Sequence, residues 1–224
     1  MRGIVFGVAG ALLFAAPMAG AQVSRGFPAG PADRDNWSAT QGRTVGADRN
    51  VVTGEAGWPG LAVQWLHGLD PVTDVGLRFG FNYGFENTTS SLVGVDLQVP
   101  VRRYLMKSGQ FDIEGHVLPG ITFYGNHGDM LFGVEAPVGL VAAYQVDPRF
   151  TVSVGGDVPL LLSVTNPFGF LFGPLVGAGA EYRIDKDLAV TGKLRFGPEF
   201  AFDHNGGSSE FAFQTLVGVA YALR

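Results

Sequence analysis

The stretch VGLRFGFNYGFE, residues 75–86, constrains the fold more than any other part of this chain. Val75, Leu77, Phe79, Phe81, Tyr83 and Phe85 alternate with Gly76, Arg78, Gly80, Asn82, Gly84 and Glu86. A period of two belongs to a β-strand, whose successive side chains point to opposite faces. The question is what the apolar face meets. Against a protein core it makes a soluble barrel or sandwich. Against lipid it leaves the polar face to line an interior.

The same period recurs along the chain. It predicts strands over 49–57, 60–68, 75–86, 91–104, 111–125, 130–146, 150–164, 169–184, 188–203 and 211–223. No segment of similar length carries a 3.6-residue apolar period, so no substantial helix is expected there. The connections fall into two alternating sets. One is LDPVTD, MKSGQ, DPR and DKD; the other is WPG, NTTS, NHGD, TNPFG and HNGGSSE. This predicts an all-β, single up-and-down antiparallel barrel of about ten strands, with eight if 49–68 stay outside it. An even number puts both ends of the chain on the side of the Asp-rich turns.

Alternation alone suits a soluble barrel. Three further features point to a transmembrane one. The polar faces are rich in Gly and carry both signs of charge: Arg78, Arg102, Lys193 and Arg195 against Glu55, Asp96, Asp112, Glu114, Glu135, Asp157, Glu181 and Glu199. A narrow interior needs small residues and neutralising charges, whereas a solvated surface needs neither. The strands exceed the usual globular length and suit tilted membrane strands with projecting ends. Aromatics also gather at the strand ends on the apolar face. Phe111, Tyr144, Tyr182 and Tyr221 fall near the first end; Phe85, Phe123, Phe132, Phe170, Phe172, Phe200, Phe202, Phe211 and Phe213 fall near the other. Two such girdles around a Val/Leu band mark a membrane barrel.

Residues 1–21 read as a signal peptide: Arg2, an apolar run from Ile4 to Ala16, then Ala19-Gly20-Ala21 as a small-x-small cleavage site. The run is too short for a spanning helix. Residues 22–47 are polar, Gly/Pro-containing and aperiodic, and read as a flexible segment, either a plain linker or one that folds into a barrel mouth. Residues 48–224 form the barrel. A net charge of −5 with no basic run gives no reason to expect nucleic-acid binding. The absence of cysteine excludes a disulfide-stapled extracellular domain and thiol chemistry.

With its signal peptide, its GLDPVTDVGLRFGFNYGF hairpin and its repeated short Asp turns, the chain resembles small bacterial outer-membrane β-barrel proteins over residues 48–224. The resemblance is one of architecture. It implies an outer-membrane location in a Gram-negative-type cell, contact with outer-membrane lipid, and the barrel-assembly machinery as a partner. It implies no cofactor.

The interior is expected to hold Arg78, Asn82, Asp96, Gln98, Arg102, Asp112, Glu114, His116, Glu135, Asp157, Glu181, Lys193, Arg195 and Glu199. Hairpin pairing sets Arg102 opposite Asp112 or Glu114, and Gln98 near His116. Buried charges must be paired, so these groups form a structural network or line a narrow path for small solutes. The primary expectation is therefore a non-enzymatic outer-membrane barrel, structural or a narrow conduit. A surface enzyme is the alternative, hydrolysing or transferring acyl groups on lipid or peptide with Asp203, His204 and Ser208 or Ser209, or using His127 beside Asp129. A soluble periplasmic barrel with an apolar ligand is another. No HExxH or Ca²⁺-loop spacing is present, so no metal site is expected. The sequence carries no signal for an oligomeric state.

Overall fold

A computed structural model describes residues 37–40, 42–84, 93–126, 129–165, 169–203 and 206–223. It contains fifteen strands: β1 (Asn50–Trp58), β2 (Gly60–Asp70), β3 (Thr73–Asn82), β4 (Val93–Gln98), β5 (Val101–Ser108), β6 (Phe111–Val117), β7 (Gly120–Asn126), β8 (Asp129–Glu135), β9 (Val138–Gln145), β10 (Phe150–Val158), β11 (Leu160–Ser163), β12 (Gly169–Phe172), β13 (Leu175–Arg183), β14 (Leu188–Asp203) and β15 (Gly206–Leu223). All belong to one sheet, and every pairing is antiparallel. The chain runs up and down, and no helix occurs among the described residues.

The expected count of about ten strands is corrected to fifteen, and proline is the reason. Five traverses of the sheet, 93–108, 111–126, 129–145, 150–163 and 169–183, are each split into two strands at Pro100, Pro119, Pro137, Pro159 and Pro174. Proline has no N–H to give the ladder and leaves a gap on the side its nitrogen faces. Neighbouring breaks lie side by side. Gly76 N–H reaches Pro100 O at 2.9 Å, Val99 N–H reaches Pro119 O at 2.8 Å, and Leu118 N–H reaches Pro137 O at 2.9 Å. The other five traverses, β1, β2, β3, β14 and β15, run unbroken. Residues 49–68 are part of the sheet, because β1 and β2 both pair on two sides.

The pairing returns to its start. β1 pairs β15 from Asn50↔Leu223 to Trp58↔Thr215, so each described strand has a partner strand on both sides. A sheet closed in this way has an inner and an outer face. The alternation of residues 75–81 assigns them: Leu77, Phe79 and Phe81 are exposed, while Asp74, Gly76 and Asn82 are buried. The same holds around the ring. Val154 and Val217 are about 60% exposed (59% and 61%), whereas Asp74 and Glu114 are 0% and 2% exposed. Burial is thus inverted relative to a water-soluble protein, with carboxylates inside and valines outside.

Of the two readings open for the polar segment before β1, the described part follows the second, a segment that folds into the barrel. From residue 37 on, the stretch expected to be flexible is packed inside the ring. Trp37 and Val45 are fully buried, in a dry cluster with Ala39, Val51, Leu66, Ala189, Ala220 and Ala222. The small inward residues of β14 and β15 leave room for the indole. The aperiodic pattern is real, but it marks an irregular segment held by the interior. Residues 22–36 and the signal-peptide stretch lie outside the described residues.

Candidate functional site

Residues 37–40 and 42–47 form a stopper across the end that carries the short Asp turns. Trp37 donates its indole N–H to Lys186 O at 2.8 Å, and Arg183 donates to Trp37 O. Thr44 Oγ1 donates to Pro71 O at 2.8 Å, and Val45 N–H donates to both carboxylate oxygens of Asp74. Ser38 and Thr40 hydroxyls donate to Glu181 Oε2 at 3.0 and 3.1 Å. Arg43 pairs with Asp112 at 2.6 Å. Gly42 has φ +65°, and an added Cβ there would lie 2.3 Å from Ala143 Cβ, so the stopper passes the wall where only glycine fits.

Arg102 is the centre of this end. Its guanidinium donates to the carbonyls of Ser38, Ala39 and Arg43, pairs with Glu114 at 2.9 Å, and lies 4.0 Å from Asp74. A buried guanidinium needs this many acceptors, since an isolated buried charge is costly. The register sets Arg102 opposite His116, and its ion pair runs diagonally to Glu114.

Above the stopper the polar faces converge on a cavity of about 250 Å³. Arg78 bridges Asp96 at 2.7 Å and Gln98 at 2.8 Å, and Asn82 joins Asp96 to the Tyr124 hydroxyl. Gln98 donates to Glu135 at 2.9 Å, so it faces Glu135 and not His116 as the hairpin pairing suggested. His116 sits between Asp157, 2.7 Å away, and Glu114, 3.5 Å away. Arg195 lies 3.9 Å from Asp157, Lys193 pairs with Glu55 at 2.8 Å, and Glu199 is buried on the cavity wall. All fourteen residues expected inside therefore face the interior. Asp112 and Glu181 are bound to the stopper, Arg102 and Glu114 stand between the stopper and the cavity and line both, and the rest surround the cavity.

Sequence reasoning left out Ser38, Thr40, Arg43, Asp74 and Tyr104. Asp74 had a usable signal, since it shares the parity of Arg78 and Asn82. The stopper residues had none, because they belong to no periodic segment.

The aromatics Phe123, Phe132, Tyr182, Phe202 and Tyr221 are exposed on the outer face, and Tyr144, Phe172 and Phe213 are half-buried there by their neighbours. Phe111 and Tyr144 meet at 5.7 Å near the first end, and Phe172 meets Phe200 and Phe202 near the other. Phe85 lies outside the described residues. So do His127 and His204, on which the enzyme alternative rests. Asp203 accepts from Gly206 N–H at 3.1 Å in its own turn, and Ser208 and Ser209 are exposed on β15. His67 stacks on Trp65 on the outer face. Among the described residues no group of three or more His, Asp or Glu side chains could hold a metal ion.

No protein-family model matches the chain, and no curated protein matches it. Solved structures do. The outer membrane protease OmpT from Escherichia coli is 9% identical, with 78% of this chain and 93% of that one covered and a TM-score of 0.32. A loop-deletion mutant of OmpT, an outer membrane protein of Vibrio cholerae, is 15% identical, with 79% and 60% covered and a TM-score of 0.37. A major outer membrane protein from Thermus thermophilus is 14% identical, with 78% and 98% covered and a TM-score of 0.26. The chain resembles outer-membrane β-barrel proteins. Overlaps this low transfer no activity to it.

Proposed function

We propose that this chain is a non-enzymatic outer-membrane β-barrel whose interior is a small polar chamber stoppered by its own residues 37–40 and 42–47. One observation carries the reading: a closed ring of strands with carboxylates and guanidinia inside and a belt of Val, Leu and Phe outside. A closed sheet satisfies its backbone without water, which is what the hydrocarbon of a bilayer demands. A contiguous apolar belt on the outer face is untenable in water and suited to lipid. The aromatic rims would then sit at the two interfaces, and the short Asp turns, with the stopper, would face the periplasm. The ion pairs fill the lower interior, so the chain acts as a wall and passes small solutes only when the stopper is displaced.

The chain has no cysteine, which makes the test clean. Ser208→Cys and Ser108→Cys, made separately, place one thiol at each end. A membrane-impermeant thiol reagent on intact cells should label the first, and the second only after lysis. Labelling of neither before lysis would make the protein periplasmic and sink the reading. In planar-bilayer recordings the wild type should be silent. Arg102→Ala, which releases the carbonyls of Ser38, Ala39 and Arg43, should produce conductance steps.

A further inference from the structure

One seam of the wall has a gap in its ladder. β12 pairs β14 over Gly169–Phe172 and 200–203, and β13 pairs β14 over 176–183 and 189–196. Between them, residues 173–175 and 197–199 are out of the ladder, although the register is continuous and sets Pro174 opposite Pro198. Neither proline has an N–H to offer the other. The two backbones instead touch through glycine: a Cβ on Gly173 would lie 2.1 Å from Pro198 O, and one on Gly197 would lie 2.3 Å from Pro174 O. The contact is close but not hydrogen-bonded. Beyond it, four register pairs hold the seam to the rim, and β11, on the far side of β12, is held to β8 by three. Segments held by so few bonds open at far lower cost than the whole fold.

What lies behind this seam is the cavity. Leu161 and Leu171 line it on the β11–β12 side, with Leu118, Pro137 and Pro159 farther round the wall, while β14 on the other side of the seam brings Lys193, Arg195 and Glu199. Its charged lining counts four Arg and Lys side chains against six carboxylates. It stays net negative even with His116 counted as a cation. Its volume of about 250 Å³ lies at the small end of ligand pockets and suits one short chain.

We propose that the cavity is a binding site for a single-chain amphiphile with a cationic head, admitted from the bilayer by parting of β12 from β14 above Pro174 and Pro198. The chain lies against Leu161 and Leu171 on the β11–β12 side of the seam, and the ammonium lies among the carboxylates that line the rest of the cavity, Glu199 of β14 nearest the entrance. This rests on the membrane reading above.

The test uses the full chain reconstituted in phosphatidylcholine vesicles, with a decylamine bearing a photoreactive diazirine on its chain. After illumination, mass spectrometry locates the adducts. Adducts on outward residues such as Val154 and Val217 report membrane insertion, and their absence would break the membrane reading itself. Adducts on Leu118, Leu161 and Leu171 are expected as well; outer labelling without them would overturn the site alone. The matching decanoic acid should label these interior positions about tenfold less, and equal labelling would overturn the cationic head. A disulfide between Phe170→Cys and Phe202→Cys, facing residues on the outer side of the register, should cut interior labelling about tenfold, with recovery on reduction. A control disulfide between Val190→Cys and Val219→Cys, in the unbroken β14–β15 ladder, should leave it unchanged. Interior labelling that survives the first lock would overturn the seam as entrance.

Discussion

Two stretches of wall in this molecule are built from the same alternating sequence and differ in what interrupts them and what stands behind them. β14 and β15 pair without a gap from Leu188↔Tyr221 to Asp203↔Gly206, and β15 continues into β1. Behind their first end stands the dry cluster around Trp37 and Val45. β11 and β12 pair over four residues, are bounded by Pro159 and Pro174, and have the cavity behind them. Period two decides which residues face in or out. It does not decide how firmly a wall is held, which depends on N–H groups in the ladder and on packing against the inner surface.

The largest expected effect comes from emptying the space behind the firm wall. Trp37→Ala removes a fully buried indole from a cluster that the stopper shares with β1, β2, β14 and β15. It should cost about 3–5 kcal/mol, read from urea unfolding in detergent micelles by heat-modifiable gel mobility. An unfolding midpoint equal to wild type would mean that the stopper does not support the wall.

Making the firm wall resemble the weak one comes next. Val217→Pro removes a ladder donor from a strand paired on both sides, to Ala56 and to Gly192, and should cost about 3 kcal/mol. The same change at Leu162, in β11, should cost closer to 1 kcal/mol, because little ladder remains there to lose. Equal costs in the same urea assay would erase the distinction between the two walls.

The converse change is smaller. Pro174→Ala with Pro198→Ala returns two N–H groups to facing positions and should strengthen the weak wall by about 1 kcal/mol. Amide hydrogen exchange over residues 170–175 and 197–202 should slow, and unchanged exchange would show that something other than missing donors limits the seam. The smallest effect belongs to Lys193→Met. Its pair with Glu55 is short, but the lysine side chain is 39% exposed to the cavity, so solvent screens it. A loss below about 1 kcal/mol is expected in the urea assay. A larger one would mean that the cavity is drier than its lining implies.

The period-two pattern made the faces legible from sequence, so Arg78, Asp96, Arg102, Glu114 and Glu199 could be placed inside before any pairing was known. Their partners were not legible. Lys193 finds Glu55 over the intervening β15, and Ser38 finds Glu181 from the stopper, 138 and 143 residues away along the chain, and alternation says nothing about which distant segments a closed sheet brings together. The splitting of five traverses had a signal in Pro100, Pro119, Pro137, Pro159 and Pro174, since each interrupts an otherwise regular strand pattern. Its weight came from the neighbouring breaks falling side by side, which is a property of register. The stopper was the least legible part. Its order comes from sockets provided by turns and strands far along the chain, and nothing local distinguishes it from a linker.

Those sockets give the molecule a history. The stopper precedes β1, while Glu181, Arg183 and Lys186, which hold it, are synthesised more than a hundred residues later, and the rung Asn50↔Leu223 that shuts the ring cannot exist until the last strand has been made. Every atom of the plug is therefore older than the enclosure around it. The chain has to hold this segment unhoused until its later strands exist, then build a wall around it, so that the wall's final seam is drawn up against cargo already in place.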